Sequence, residues 1–150
     1  MRAVIQRVTG AEVIVSKEVI GKISQGLCVL IAFNGLETKV DFEWMARKII
    51  NLRIFSDGEK MNINLKDING ELLMISQFTL YANSKKGNRP SFIRSAKPEL
   101  AKALYLDFLA YLKQTTDIKI ETGEFGADME LNLSNNGPVT IILDSENIDF

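Results

Sequence analysis

Hydrophobic residues in the first part of the chain predict a run of β-strands. Residues 2–8 and 11–15 are rich in valine and isoleucine and predict a strand that is interrupted near Thr9–Gly10. Two further strands are predicted at EVIGKI and GLCVLIAF. Because GLCVLIAF is a nearly continuous apolar run, we expect that strand to be buried on both faces.

The hydrophobic period changes to that of an α-helix in two places. The first helix is predicted over residues 39–52, where five apolar side chains share one face: Phe42, Met45, Ala46, Ile49 and Leu52. The second is predicted to open at Pro98–Glu99, because proline fits the first turn of a helix and an acid is favourable near its positive end. Its predicted apolar face consists of Leu100, Leu104, Phe108, Tyr111 and Leu112.

The remaining segments supply further strands and one long loop. A strand is expected over residues 71–81, and residues 82–97 are loop-like. The segments DIKIETGEF and DMELNLSNNGPVTIILDS are expected to close the sheet. The predicted fold class is therefore α+β, with a mostly antiparallel, strongly curved, barrel-like β-sheet and two or three packed α-helices.

Length and composition fit one soluble domain. The chain has 150 residues, of which 46% are hydrophobic and 25% are charged. We expect a single domain over residues 1–150, in which 146–150 form a short, frayed polar tail. No stretch approaches the roughly 20 apolar residues of a membrane span, and the start has no long apolar segment typical of a signal peptide. A cytoplasmic location without membrane contact is the expectation.

The chain has no histidine and a single cysteine, and both facts restrict its chemistry. The Ser-His-Asp triad, the Cys-His pair and zinc sites with several cysteines are excluded. Cys28 is expected to be a small core residue. Catalysis would have to use hydroxyls, carboxylates, lysines, backbone groups or the substrate itself. The net charge of −1 does not indicate a general polyanion binder, although a local basic patch is compatible with it.

Two neighbouring segments carry candidate functional groups. In SQFTLYA, residues 76–82, polar side chains enter at the end of an apolar strand, which suits the mouth of a pocket but is also ordinary β-structure. The following basic loop, residues 83–97, has five cations and no acid. This charge excess fits either phosphate binding or a solvated loop. Its cations are Lys85, Lys86, Arg89, Arg94 and Lys97.

Two later segments also leave alternatives open. In ETGEFGADM, Phe125 and Met129 could form the apolar wall of a ligand site, or the segment could be a plain bulge in the core. In SNNGPVTIILDS, Asn136–Gly137 signals a hairpin turn, and Pro138 stands where a strand should begin. Pro138 could simply start an edge strand. Alternatively, a cis Gly-Pro bond could present a rigid pair of carbonyl groups that bind an ammonium group.

Four segments together resemble the D-aminoacyl-tRNA deacylases. They are MRAVIQRV, NLRIF, SQFTLYA…KKGNRPSF and FGADM…NGPVTIILDS, and the resemblance runs from Met1 to Ser145. Both hallmark motifs of that family, an SQxT-type strand and an NGPxT-type segment, are intact. The departures are modest: residues 34–49 differ from the family's usual acid-rich helix entry, and Glu130 stands where glutamine is more usual.

The resemblance implies a homodimer with its active sites at the interface and no metal or organic cofactor. It implies hydrolysis of the ester between a D-amino acid, or mischarged glycine, and the terminal adenosine of tRNA. Ser76, Gln77, Phe78 and Thr79 match the family's pocket strand. Gly137 and Pro138 match a Gly-cisPro motif that enters the partner's pocket. Phe125 and Met129 match positions that help to hold the terminal adenosine.

These assignments yield a mechanism without histidine. We expect backbone N–H groups of Phe78 and Thr79, with Gln77, to stabilise the oxyanion, while the 2′-OH of the tRNA orients water and Thr79 only positions groups. The Gly137–Pro138 backbone would exclude L side chains. Acceptor-stem phosphates would contact three basic side chains: Lys85, Lys86 and Arg89. The alternatives are a non-catalytic RNA-end or nucleotide-binding module and an editing domain that acts on L-aminoacyl-tRNA.

Overall fold

The first strand, β1, pairs with three other strands of the sheet and runs without a break from Arg2 to Val15. The coordinates are a computed structural model, which describes residues 1–147. Strands β2 (Glu18–Ile23) and β3 (Gly26–Ala32) follow one another antiparallel to β1, and β8 (Glu130–Asp144) pairs along its other edge. The predicted interruption at Thr9–Gly10 is wrong. The irregularity there is a register shift against β8 that leaves β1 continuous.

Two parallel pairings extend the sheet beyond β3. Strand β6 (Glu71–Ser76) runs parallel to β3, and β7 (Ile120–Thr122) runs parallel to β6. The sheet curves so far that β2 approaches β7, since a Cβ added at Gly21 would lie 2.8 Å from the carbonyl oxygen of Thr122. The predicted curved, barrel-like α+β fold is confirmed, and its mostly antiparallel sheet includes this parallel portion. A separate two-stranded ribbon consists of β4 (Phe55–Ser56) and β5 (Met61–Ile63).

Two α-helices cover one face of the sheet. Helix α1 (Lys39–Asn51) buries most of the predicted face, and α2 (Pro98–Thr115) begins at the predicted proline. The predicted face of α2 is partly wrong, because Leu100 is 46% exposed and lies beside Gly35 instead of the sheet. The buried side chains of α2 are Ala101, Tyr105, Phe108, Leu109 and Leu112.

The core has two parts, one on each face of the sheet. Between the sheet and the helices, Phe108 packs edge-to-face against Phe33 and Phe42, with ring centroids 6.4 and 5.3 Å apart. Each fully buried aliphatic or phenyl side chain there contributes about 1.5–3 kcal/mol through removal of apolar surface from water. The opposite face buries a smaller cluster that includes Cys28 and Ile75. As predicted, β3 is almost entirely buried, and Cys28 is a core residue.

The two ends of the described chain lie together. The Met1 ammonium is 3.1 Å from a carboxylate oxygen of Glu37, and Arg2 donates to Asp144 at 2.7 Å. The prediction of a frayed tail is wrong for Glu146, whose carboxylate accepts from Asn34 at 2.6 Å and from Arg94 at 3.1 Å. Residues 148–150 of the predicted tail lie outside the described residues. Over residues 1–147, neither helix is long and apolar enough to cross a membrane.

Candidate active site

The segment SQFTLYA changes from strand to 3₁₀ turn immediately after Ser76. The N–H of Gln77 donates to the carbonyl of Ile31 at 2.7 Å, and residues Phe78–Tyr81 then form a single 3₁₀ turn. The predicted strand over residues 71–81 is therefore wrong beyond Ser76. The physical reason is that β3 ends at Ala32, so the chain after Gln77 has no neighbouring strand with which to pair.

This turn leaves two backbone donors free. Within residues 1–147, the N–H groups of Phe78 and Thr79 donate to no acceptor, whereas Leu80 N–H bonds to the Gln77 carbonyl at 3.2 Å. The side-chain amide of Gln77 donates to the Thr79 hydroxyl at 2.5 Å. The turn therefore presents two adjacent N–H groups, held beside a hydroxyl that already accepts one hydrogen bond.

A cavity of about 830 Å³ opens beside this turn, at the ends of the parallel strands β3 and β6. Five predicted site residues line it: Ser76, Gln77, Phe78, Phe125 and Met129. Most of the other lining side chains are apolar, and one cation (Lys97) and one carboxylate (Asp128) line it within the described chain. This combination is typical of a site for an organic ligand with few charged groups.

Phe125 and Met129 lie on one wall of the cavity. Phe125 stands in a turn between β7 and β8, with its ring 5.9 Å from that of Tyr105. The Met129 sulfur lies against Gly123, where an added Cβ would be 2.5 Å away. Gly123 is thus needed for this close approach, and the segment is a turn between two strands instead of the plain bulge considered above. Burial raises the pKa of the Tyr105 phenol, whose hydroxyl donates to the Met74 carbonyl at 2.8 Å.

The second half of the basic loop forms another wall. The Ser95 hydroxyl donates to the Phe78 carbonyl at 2.8 Å, and the Ala96 N–H donates to the Phe33 carbonyl at 2.9 Å. Phe92 packs edge-to-face against Phe78 at 5.1 Å between centroids. These contacts fix this wall to the 3₁₀ turn, although Phe78 remains 54% exposed.

The five cations of the basic loop lie in three different environments. Lys85, Lys86 and Arg89 are exposed at the far part of the loop and do not line the cavity. Arg94 forms an ion pair with Glu146, and its guanidinium lies 5.7 Å from the centre of the Tyr81 ring. Lys97 lines the cavity.

Gly137 and Pro138 lie within the long strand β8, and the peptide bond between them is cis. The predicted hairpin turn at Asn136–Gly137 is wrong, because β8 continues from Glu130 to Asp144 with only a shift of register opposite β1. Gly137 has a φ of +121°, which L side chains rarely adopt. Both residues are exposed, and neither lines the cavity of its own chain.

Arg7 supports this segment from β1, a role that the sequence analysis did not predict. Its Nε donates to the Asn136 carbonyl at 3.0 Å, and Nη1 donates to the Ile54 carbonyl. Its Nη2 would lie 2.9 Å from a Cβ added at Gly137. The contact depends on the pairing of β1 with β8, more than 120 residues later. No local pattern marks Arg7 among the other arginines.

Comparisons with known proteins agree with this geometry. A family model described as D-Tyr-tRNA(Tyr) deacylase matches residues 4–144. The D-aminoacyl-tRNA deacylase of Flavobacterium psychrophilum is 50% identical and covers 98% of this chain and 99% of its own length. That of Clostridium botulinum (strain Alaska E43) is 54% identical, with 97% of each chain covered.

Two solved structures share the fold. One, described as "c-Myc DNA Unwinding Element Binding Protein", has a TM-score of 0.92 and 42% identity, and covers 97% of this chain and 99% of its own. Another, "Structural Analysis of a probable eukaryotic D-amino acid tRNA deacylase", has a TM-score of 0.80 at 19% identity, and covers 95% and 97%. The chain therefore belongs to the D-aminoacyl-tRNA deacylases, hydrolases that act on the ester bond of aminoacyl-tRNA.

Proposed function

We propose that this chain releases D-amino acids and mischarged glycine from the terminal adenosine of tRNA and leaves L-aminoacyl-tRNA intact. The observation that carries the proposal is the pair of free N–H groups on Phe78 and Thr79 beside the cavity. Two adjacent donors of this kind stabilise the negative oxygen that forms when water attacks an ester. An aminoacyl ester is already activated, so positioning and oxyanion stabilisation are enough to hydrolyse it.

The reaction proceeds by direct attack of water. Water adds to the ester carbonyl carbon, the carbonyl oxygen becomes an oxyanion held by Phe78 and Thr79, and the bond to the ribose oxygen then breaks. The leaving ribose oxygen takes up the proton that the attacking water gives up, and the 2′-OH of the substrate orients that water. Thr79 is a positioning residue, because its hydroxyl accepts from Gln77 and, within residues 1–147, no lysine or arginine side chain is hydrogen-bonded to it. The reaction requires no metal or organic cofactor.

The terminal adenosine occupies the cavity. Ser76 borders the end nearest to the 3₁₀ turn, and Phe125 and Met129 form an apolar wall for the flat base. Aromatic and thioether side chains favour such stacking contacts, which are insensitive to salt. This arrangement brings the ester of the terminal ribose towards the free N–H groups.

The chiral filter is supplied by a second copy of the chain. Gly137 and Pro138 are exposed, and the edge of β8 that faces away from β1 has no partner strand in the part of the chain described here. In a homodimer, this segment enters the partner's cavity and its carbonyl groups accept the α-ammonium of the substrate. An L side chain then collides with the Gly-Pro backbone, whereas a D side chain points away and glycine has none to exclude.

The exposed part of the basic loop contacts tRNA outside the cavity. Lys85, Lys86 and Arg89 are fully available to the acceptor-stem phosphates, and such contacts are independent of base sequence. A tRNA substrate places the reaction in the cytoplasm.

One assay tests this function against its alternatives. Matched D- and L-aminoacyl-tRNA are incubated with the pure protein, and release of the amino acid is measured. Release of the D form alone supports the proposal, and release of the L form would indicate an editing domain. Binding without release would indicate a nucleic-acid-binding module. That second candidate is favoured by one observation, the similarity to a protein described as a DNA-unwinding-element binding protein.

A further inference from the structure

Lys97 is a cationic residue of the cavity that the mechanism above does not use. Within residues 1–147 it is the one basic side chain among those that line the cavity. We propose that Lys97 binds the 5′-phosphate of the terminal nucleotide, so that the enzyme recognises an aminoacylated nucleotide and not merely an aminoacyl nucleoside. This inference rests on the proposed function and specifies its substrate.

The charges around Lys97 leave it available for an anion. In the described part of the chain, no carboxylate lies within 4.0 Å of its ammonium group. Glu99, two residues later, does not line the cavity, and the carboxylate that does, Asp128, comes from the separate segment between β7 and β8. A lysine without an internal partner is a point charge suited to a phosphate.

The main chain at Lys97 is held on both sides. Ala96 N–H donates to the Phe33 carbonyl at 2.9 Å, and the Lys97 carbonyl accepts from Ala101 at 2.8 Å in the first turn of α2. Pro98 restricts the backbone further. The side chain therefore extends from a fixed point at the cavity, which lowers the entropy lost when it binds a ligand.

The same wall sets the separation between Lys97 and the reacting ester. Ser95 is hydrogen-bonded to the Phe78 carbonyl at 2.8 Å, and Phe78 carries one of the two free N–H groups. Ser95 and Ala96 thus connect Lys97 to Phe78, which carries part of the proposed oxyanion site. In the substrate, the ester and the 5′-phosphate belong to the same nucleotide, so a phosphate held by Lys97 places the ester relative to Phe78.

The other cations of the basic loop do not fit this role. Arg94 is neutralised by Glu146 at 3.1 Å, and Lys85, Lys86 and Arg89 do not line the cavity. In the proposed complex, Lys85, Lys86 and Arg89 contact phosphates further along the acceptor stem. Lys97 contacts the phosphate nearest to the ester. We therefore expect Lys97 to affect binding of the terminal nucleotide, and Lys85, Lys86 and Arg89 to affect binding of the acceptor stem.

The test compares binding of adenosine 5′-monophosphate and adenosine, followed by NMR titration of the full chain. We expect the wild-type protein to bind the monophosphate about tenfold more tightly, as for one charge-assisted hydrogen bond. In Lys97→Gln the two ligands should bind equally. Lys102→Gln, which removes an exposed cation of α2 outside the cavity, should retain the wild-type preference.

Hydrolysis of D-aminoacyl-tRNA provides the second measurement. Lys97→Gln should raise KM about tenfold with little change in kcat, because the phosphate contact is the same in ground and transition states. A wild-type preference for the monophosphate that persists in Lys97→Gln, or no such preference in the wild-type protein, overturns the inference. Absence of D-specific hydrolysis in the wild-type protein would instead refute the proposed function, while the binding comparison would still decide the role of Lys97.

Discussion

The side-chain amide of Gln77 donates a hydrogen bond to the hydroxyl of Thr79 at 2.5 Å. The Thr79 oxygen is therefore used as an acceptor, and the side chain that donates to it, an amide, cannot remove its proton. This relationship supports the proposal that Thr79 positions groups and does not act as a nucleophile.

Thr79→Ala should retain most of the turnover of D-aminoacyl-tRNA, with kcat reduced by about tenfold or less. The free N–H groups belong to the backbone and persist in the variant. Rapid-quench kinetics of the wild-type protein and the variant would measure this. Isolation of an acyl-Thr79 adduct by mass spectrometry would contradict the water mechanism.

Arg7→Gln should weaken selectivity and stability together. The change removes the bonds from the guanidinium to the carbonyls of Asn136 and Ile54, and hydrogen bonds to charged groups are worth about 1.5–3 kcal/mol each. We expect a loss of about 3 kcal/mol in the free energy of unfolding, the lower end of the range for two such bonds, measured by urea denaturation, and a higher rate on L-aminoacyl-tRNA. Arg47→Gln, on the exposed face of α1, is the control. Unchanged D/L selectivity in Arg7→Gln would show that Arg7 does not position the Gly137–Pro138 segment.

Pro138→Ala should lose chiral discrimination or activity. Alanine lacks the ring that restricts the backbone, so the carbonyl groups on this exposed part of β8 are less firmly held. The rates of release from matched D- and L-aminoacyl-tRNA are the measurement, and Ser134→Ala, an exposed position on the same strand outside the NGPxT segment, is the control. If the variant rejects L-aminoacyl-tRNA as well as the wild-type protein does, the exclusion model fails.

Neutralising Lys85, Lys86 and Arg89 together should reduce the salt dependence of tRNA binding. Each phosphate contact contributes a slope of about 0.7–0.9 in a plot of log affinity against log salt concentration. Three lost contacts should therefore lower the slope by about 2 to 3, which fluorescence titrations at several salt concentrations would detect. An unchanged slope would refute the assignment of these three residues.

The Cys28 thiol should be unreactive in the native protein. Its burial raises its pKa to about 12, so the thiolate is scarce at pH 8 and no reagent reaches it. Labelling with an aromatic disulfide should be slow in buffer and fast in denaturant. Because the unfolded thiol ionises near pH 8.5, the unfolded state binds fewer protons above that pH, and stability should fall as pH rises from about 9 towards 12. Fast labelling of the native protein would contradict this burial.

Local patterns correctly predicted the elements whose secondary structure does not depend on the strands or helices that pack beside them. The apolar run of β3 and the helical spacing in α1 correctly indicate both element and burial. The end of β6 was not predictable in this way. Ser76 and Thr79 are compatible with a strand, and the chain turns only because β3 has already ended at Ala32.

For the same reason, only part of the candidate site could be predicted from the sequence. Its polar residues are consecutive and form recognisable motifs, so their participation could be predicted. The contact of Arg7 with Asn136, and the position of Pro138 within a strand instead of after a turn, depend on how β1 and β8 pair. Such long-range pairing leaves no trace in local periodicity.

The pairing of β1 with β8 also sets the order in which the proposed site is completed during synthesis. Arg2 lies opposite Asp144, so a ribosome must translate nearly the whole described chain before the second edge of β1 is covered. The 3₁₀ turn and the cavity wall at residues 92–98 emerge earlier than Gly137 and Pro138. A nascent chain can thus carry the residues proposed for hydrolysis while it still lacks those proposed for discrimination, which join the sheet only when β8 docks.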